Sequence, residues 1–168
     1  KTVMANYILE GIYFYSGFMF FYNLERNGKM PGSAQEIRYI NRDENTHLWL
    51  FRSIIRELMK EEPEVFTEEL KEELRQMMKI GVENEINWGK YVIGDKIQGI
   101  NSNLIESYIK YLGNRRLKEI GFEAIFEGYD ENPAKWVDTL ADANSVKTDF
   151  FEAKSTAYAK ASVLIDDL

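Results

Sequence analysis

Apolar positions recur at helical spacing along most of the chain, and nowhere alternate as a strand would require. The first run, Met4 to Tyr22, is almost continuous in Tyr, Ile, Leu, Phe and Met, with Asn6 and Glu10 as polar interruptions. A membrane span asks for about 20 clean apolar residues, and a carboxylate near its middle is costly in lipid. The run therefore reads as one helix, apolar on all sides, inside a protein core. An isolated ionised carboxylate there costs several kcal/mol, so Glu10 is expected to meet a cation or a metal.

Turn formers crowd Asn27 to Ser33, and Ser33 with Glu36 makes a Ser-x-x-Glu capping box, which predicts a second helix from about Ala34. Its apolar positions Ile37, Ile40, Leu48, Leu50, Phe51, Ile54, Ile55 and Leu58 continue unbroken to Glu61-Glu62-Pro63. Thr67 is the expected N-cap of a third helix running to about Val92, with Leu70, Leu74, Met77, Met78, Ile80 and Val82 as its buried stripe. Gly94 to Asn101 reads as a loop, and Ser102 as the cap of a fourth helix that Gly121 stops. Beyond it, Trp136-Val137-Asp138 is a short buried anchor, and the last twenty residues hold too few apolar positions for a core. Tyr13, Tyr15, Tyr22, Trp49, Trp88 and Trp136 are taken as packing residues. Arg115, Arg116, Glu83 and Glu85 are taken as surface charge or inter-helix pairing. The fold class is all-α, long helices packed as a bundle.

The 168 residues suit one compact domain, and 45% hydrophobic with 29% charged residues is a globular composition. The 21 Lys and Arg against 28 Asp and Glu leave a net charge of -7, which gives phosphate-backbone attraction no general hold, so nucleic acid is not expected as a partner. No cysteine is present, which excludes disulfides, thiolate metal sites and thiol nucleophiles, and fits a reducing compartment. The chain opens on Lys1, not Met, without a charged-then-apolar leader, so nothing marks secretion and the start reads as a processed or cut end; a cytoplasmic location is expected. The single histidine, His47, rules out a zinc site built from several of this chain's imidazoles.

His47 follows Glu44 by three positions within the second predicted helix, so both side chains leave one face about a turn apart. Carboxylate-bridged dinuclear bundles take one Glu from each of two helices and one Glu-x-x-His from each of two more. Glu10, Glu44 and His47 make half of such a set. A zinc-protease reading fails, because its motif would need histidine at Asp43.

Around these residues the sequence resembles the small, metal-bearing subunit of class I ribonucleotide reductase, over essentially its whole length. The resemblance is carried by Leu9 to Phe18, Ile40 to His47, Trp88-Gly89-Lys90-Tyr91, Asn132 to Trp136 and Phe150-Phe151-Glu152. It implies a ferritin-like helical bundle, half of it in this chain. It implies that Glu10, Glu44 and His47 ligate one metal of a pair, iron first, with manganese or a mixed pair also open. It further implies Asp43 as an acid on the radical-transfer route, Phe14 and Phe18 as an apolar pocket, and Tyr158 as the tail tyrosine that passes the oxidising equivalent on. Residues 1–147 would then be the bundle half, and 148–168 the tail that docks the large catalytic subunit. A second small subunit is the expected dimer partner.

Such subunits are about twice this long, and what has no counterpart here is their N-terminal half, with the other Glu-x-x-His. The expectation is a C-terminal half that needs a separate N-terminal half to bind two metals. Two alternatives stay open: a homodimer whose paired ligand sets complete a self-sufficient oxidase or storage bundle, and a metal-free helical interaction module in which Glu10 and His47 satisfy each other.

Overall fold

The computed structural model describes residues 1–142, and in them every regular element is helical. The helices are α1 (Thr2–Gly11), α2 (Tyr15–Arg26), α3 (Pro31–Glu61), α4 (Glu68–Val92), α5 (Ser102–Glu119) and α6 (Lys135–Ala141), with a 3-10 turn at Pro63–Val65. No helix among the described residues is long and apolar enough to cross a membrane.

The apolar run expected as one helix is two. The chain leaves α1 after Gly11, widens so that the Tyr13 and Ile12 amides both reach back to the Ile8 carbonyl, and turns at Phe14 with φ 76°. A left-handed aromatic residue is uncommon and costs about 1–3 kcal/mol unless its surroundings fix it. Nothing in the spacing of apolar residues marks such a break, because both halves bury the same faces: Met4, Tyr7, Ile8 and Ile12 before it, Tyr15, Phe18, Met19 and Tyr22 after it.

Two helix starts also shift. α3 begins at Pro31, not at Ala34: the fixed φ of proline suits the first helical position, and Met30 before it lies in the left-handed region, so Ser33 is already inside the helix. α5 is capped by Asn101, whose side chain accepts the Leu104 N–H at 2.8 Å, one residue before the expected Ser102. Thr67 caps α4 as expected, accepting from Leu70, and Gly121 takes φ 84° just past the end of α5. Trp49 and Trp88, expected to pack, are 60% and 57% exposed. Trp136 is half-buried, with the Arg26 guanidinium 4.1 Å above its ring.

α1 and α2 pack between α3 on one side and α4 with α5 on the other. Gly81, Glu85 and Gly89 recur every four residues along the inner face of α4 and let it approach closely: a Cβ on Gly81 would stand 2.5 Å from Ile8 Cγ2, and one on Gly89 3.0 Å from Ser16 Cβ. Across the α4–α5 seam, the Glu106 carboxylate accepts from Lys90 at 2.5 Å and Lys110 at 2.6 Å.

Two outcomes follow from this packing. Gly81→Ala gains helix propensity of about 1 kcal/mol. It also drives a methyl into a β-branched neighbour that can hardly turn away, at about 1–3 kcal/mol. Urea denaturation is expected to show net destabilisation. The two lysines hold the Glu106 carboxyl down at about 2, below its ordinary 4.5. A carboxyl depressed in the folded state adds stability above its unfolded value and loses it as pH falls toward the folded one. The stability gap between the native chain and Glu106→Gln should therefore be full near pH 7 and close between pH 4.5 and 2.

Candidate metal centre

The last turn of α1 and the middle of α3 bring the three predicted ligands to one point. One ligand atom from each of Glu10, Glu44 and His47 lies within 4.8 Å of the other two. His47 Nδ1 is 2.9 Å from Glu44 Oε2 and 3.6 Å from Glu10 Oε2. The two carboxylate side chains are largely covered, whereas the imidazole is 51% exposed. The hydrogen bond shared with Glu44, together with burial, pushes the Glu10 carboxyl up, and the Glu44 carboxylate pushes His47 up. Both shifts share one cause, the neighbouring Glu44 carboxyl, and a proton or a cation relieves the negative charge gathered there. Two carboxylates and one imidazole are a donor set that suits iron or manganese.

The side of the exposed imidazole is apolar. Ile40, His47 and Ile54, with Glu44 and Phe51 between them, follow one helical stripe of α3, and Ile40, Ile54, Leu50, Leu9 and Phe14 are all exposed. Asp43 stands beside the ligands in sequence but is exposed, with its nearest charge Arg42 at 3.4 Å. Phe18 is buried and meets Tyr15 edge-on at 5.2 Å, while Phe14 is half-exposed. Tyr158 lies outside the described residues. A groove of about 890 Å³ runs past Arg75, Lys79, Lys90, Glu106 and Lys110, and Glu10, Glu44 and His47 do not line it.

Two charged residues near the cluster do more than the sequence suggests. Glu85, only 2% exposed, accepts the Ser16 N–H at 3.0 Å and the Ser16 hydroxyl through one oxygen. Burial pushes its carboxyl up, against the pull of those donors and of the Phe14 amide. Arg116, 4% exposed, donates Nε to the Gly11 carbonyl at 3.2 Å, Nη2 to the Tyr15 hydroxyl at 2.9 Å and Nη1 to Glu119 at 3.2 Å. For these two the inter-helix half of the expectation holds and the surface half does not. Arg115, exposed and paired with Glu119, and exposed Glu83 fit the surface half. A signal existed for Glu85, an acid four residues from a glycine on either side and flanked by Val82 and Ile86 in a buried stripe.

A sequence model described as "Ribonucleotide reductase, small chain" matches residues 1–133. The chain is 64% identical over 170 residues to a ribonucleoside-diphosphate reductase subunit beta of Treponema pallidum, covering 100% of this chain and 48% of that protein. It is 46% identical to the subunit beta of Halalkalibacterium halodurans, over 96% of this chain and 47% of the other. Among solved structures, the ribonucleotide reductase R2 subunit from Clostridium botulinum superposes with a TM-score of 0.80 at 56% identity, over 83% of this chain and 44% of that one. The chain thus spans about half the length of the relatives it matches, and it shares their helical architecture.

Proposed function

Since the chain belongs to the ribonucleotide reductase small-chain family and its fold is that family's ferritin-like helical one, we propose that it contributes one of the two ligand sets of a dinuclear metal centre. The observation that carries this reading is the convergence of Glu10, Glu44 and His47 from two helices within 4.8 Å. Iron is the first candidate, with manganese or a mixed pair fitting the same donors. When bound, the metal pair would supply dioxygen activation and the oxidising equivalent that the enzyme needs.

The chain's own residues do the rest. Glu10 and Glu44 would hold the metal through their carboxylates and offset its charge, while His47 would add one softer donor. The exposed apolar stripe from Ile40 to Ile54, with Leu9 and Phe14, is the surface that an N-terminal half of the subunit covers, bringing the second ligand set and excluding water. Phe18 walls the inner side. Asp43 and Tyr158 are proposed as the stations by which the oxidising equivalent leaves toward a large catalytic subunit. Nucleotide reduction belongs to that subunit, because it requires thiols and this chain has none. A dimer of small subunits is the proposed assembly, in the cytoplasm.

The test is metal counting. Mixed with a separately produced N-terminal half, the chain is expected to hold two metals per complex, and Glu44→Ala in that complex to weaken metal uptake by more than about tenfold. Full oxygen reactivity with two metals on the isolated chain would refute the need for a second half. Two metals per homodimer by light scattering, with no partner added, would point to the self-sufficient bundle instead.

A further inference from the structure

A helix cut in the protein interior exposes carbonyls at one end and amides at the other, and neither may be left without partners. At the cut between α1 and α2 these partners are charged, buried and delivered by two other helices. Arg116 of α5 donates to the carbonyl of Gly11, the last residue of α1, and to the hydroxyl of Tyr15, the first residue of α2. Glu85 of α4 accepts the amide and hydroxyl of Ser16, in the first turn of α2. Each sign matches the partial charge at its helix end: a cation at the C-terminus of α1, an anion at the N-terminus of α2.

Arg116 spans the cut, and Glu85 adds a second hold on the α2 side. Arg116 is itself held by Glu119, which also accepts the Tyr7 hydroxyl at 3.1 Å, so the guanidinium is anchored to both α1 and α5. Glu85 reaches Ser16 because the backbone of Gly89, one turn on, lets α4 close on α2. Between the clamped ends sit only Ile12, Tyr13 and the left-handed Phe14. The Gly11 carbonyl belongs to the residue directly after Glu10, so whatever fixes it fixes the end of α1 that presents this ligand to Glu44 and His47.

We infer that Glu85 and Arg116 are positioning residues of the metal centre, setting the place of Glu10 by clamping the two ends of its interrupted helix. The inference rests on the metal-centre reading above and goes beyond it, since neither residue touches the ligand cluster.

Cobalt(II) titration of the full chain, followed by visible absorption, tests it, together with deuterium exchange of the Ser16 amide. Glu85→Ala should weaken cobalt binding about tenfold or more, within the range typical for residues that orient ligands, and speed Ser16 exchange by at least as much. Glu85→Gln keeps a carbonyl that can accept from Ser16 and should bind within about threefold of the native chain. Arg116→Lys keeps the charge but cannot span Gly11, Tyr15 and Glu119 together, and should weaken binding as Glu85→Ala does. Leu74→Ala, a core change about three turns away on α4, serves as the stability control and should leave cobalt affinity unchanged. Native affinity in Glu85→Ala or Arg116→Lys overturns the role of that residue. Equal loss in Leu74→Ala overturns positioning in favour of general destabilisation. Where cobalt is taken up only after a separately produced N-terminal half is added, the variants are compared in that complex; no cobalt on the native chain even then overturns the metal-centre reading and this role with it, an outcome distinct from normal native binding that the variants leave intact.

Discussion

Two buried opposite charges, Arg116 and Glu85, hold the severed ends of one apolar helix, and the place where that helix is cut sets the end of α1 that carries Glu10. A continuous helix through residues 2–26 would satisfy its own amides and carbonyls and would need neither residue. Interruption makes them necessary, and once both ends are bonded to α4 and α5 the strained backbone at Phe14 is over-determined and stays. The cost of burying a guanidinium is met by three separate acceptors, Gly11, Tyr15 and Glu119, and the carboxylate of Glu85 is met by donors from Ser16.

The ligand cluster obeys the same electrostatics with the opposite outcome. At the break, each buried charge has neutral or opposite partners and is complete. At Glu10, Glu44 and His47, two acids face one imidazole, and the excess negative charge is relieved only by raised proton affinity. That is an arrangement suited to a cation. The half-exposed imidazole and the exposed apolar positions Ile40 and Ile54 of the same stripe lie on the side where the chain is least covered. Two solved structures of the family superpose over 44% and 43% of their own length.

Much of this was legible beforehand for simple reasons. Glu44 and His47 lie three apart, and helical geometry alone puts them on one face. An acid inside an aromatic run, Glu10, has few affordable environments, so its partnership with charge could be anticipated. Thr67 and Gly121 mark helix ends by local chemistry that neighbours do not change. Where local chemistry competed, the reading slipped: Pro31 overruled the Ser33 capping box, and Asn101 took the cap from Ser102. Trp49 and Trp88 illustrate another limit, since an aromatic residue carries no label for whether the surface it faces is covered within the same chain.

The sequence by itself determined the helical class, the lengths and order of most helices, and the three residue types able to share a cation, because these depend on spacing within a single helix and on the intrinsic chemistry of side chains. Only the tertiary structure decided that the first helix is broken at Phe14, that Glu85 and Arg116 are buried there, and that the cluster opens on an apolar edge. Those features depend on which distant helix supplies a donor or acceptor to an orphaned backbone group. That is set by how closely the glycine face of α4 and the inner face of α5 approach, not by any local pattern in the chain.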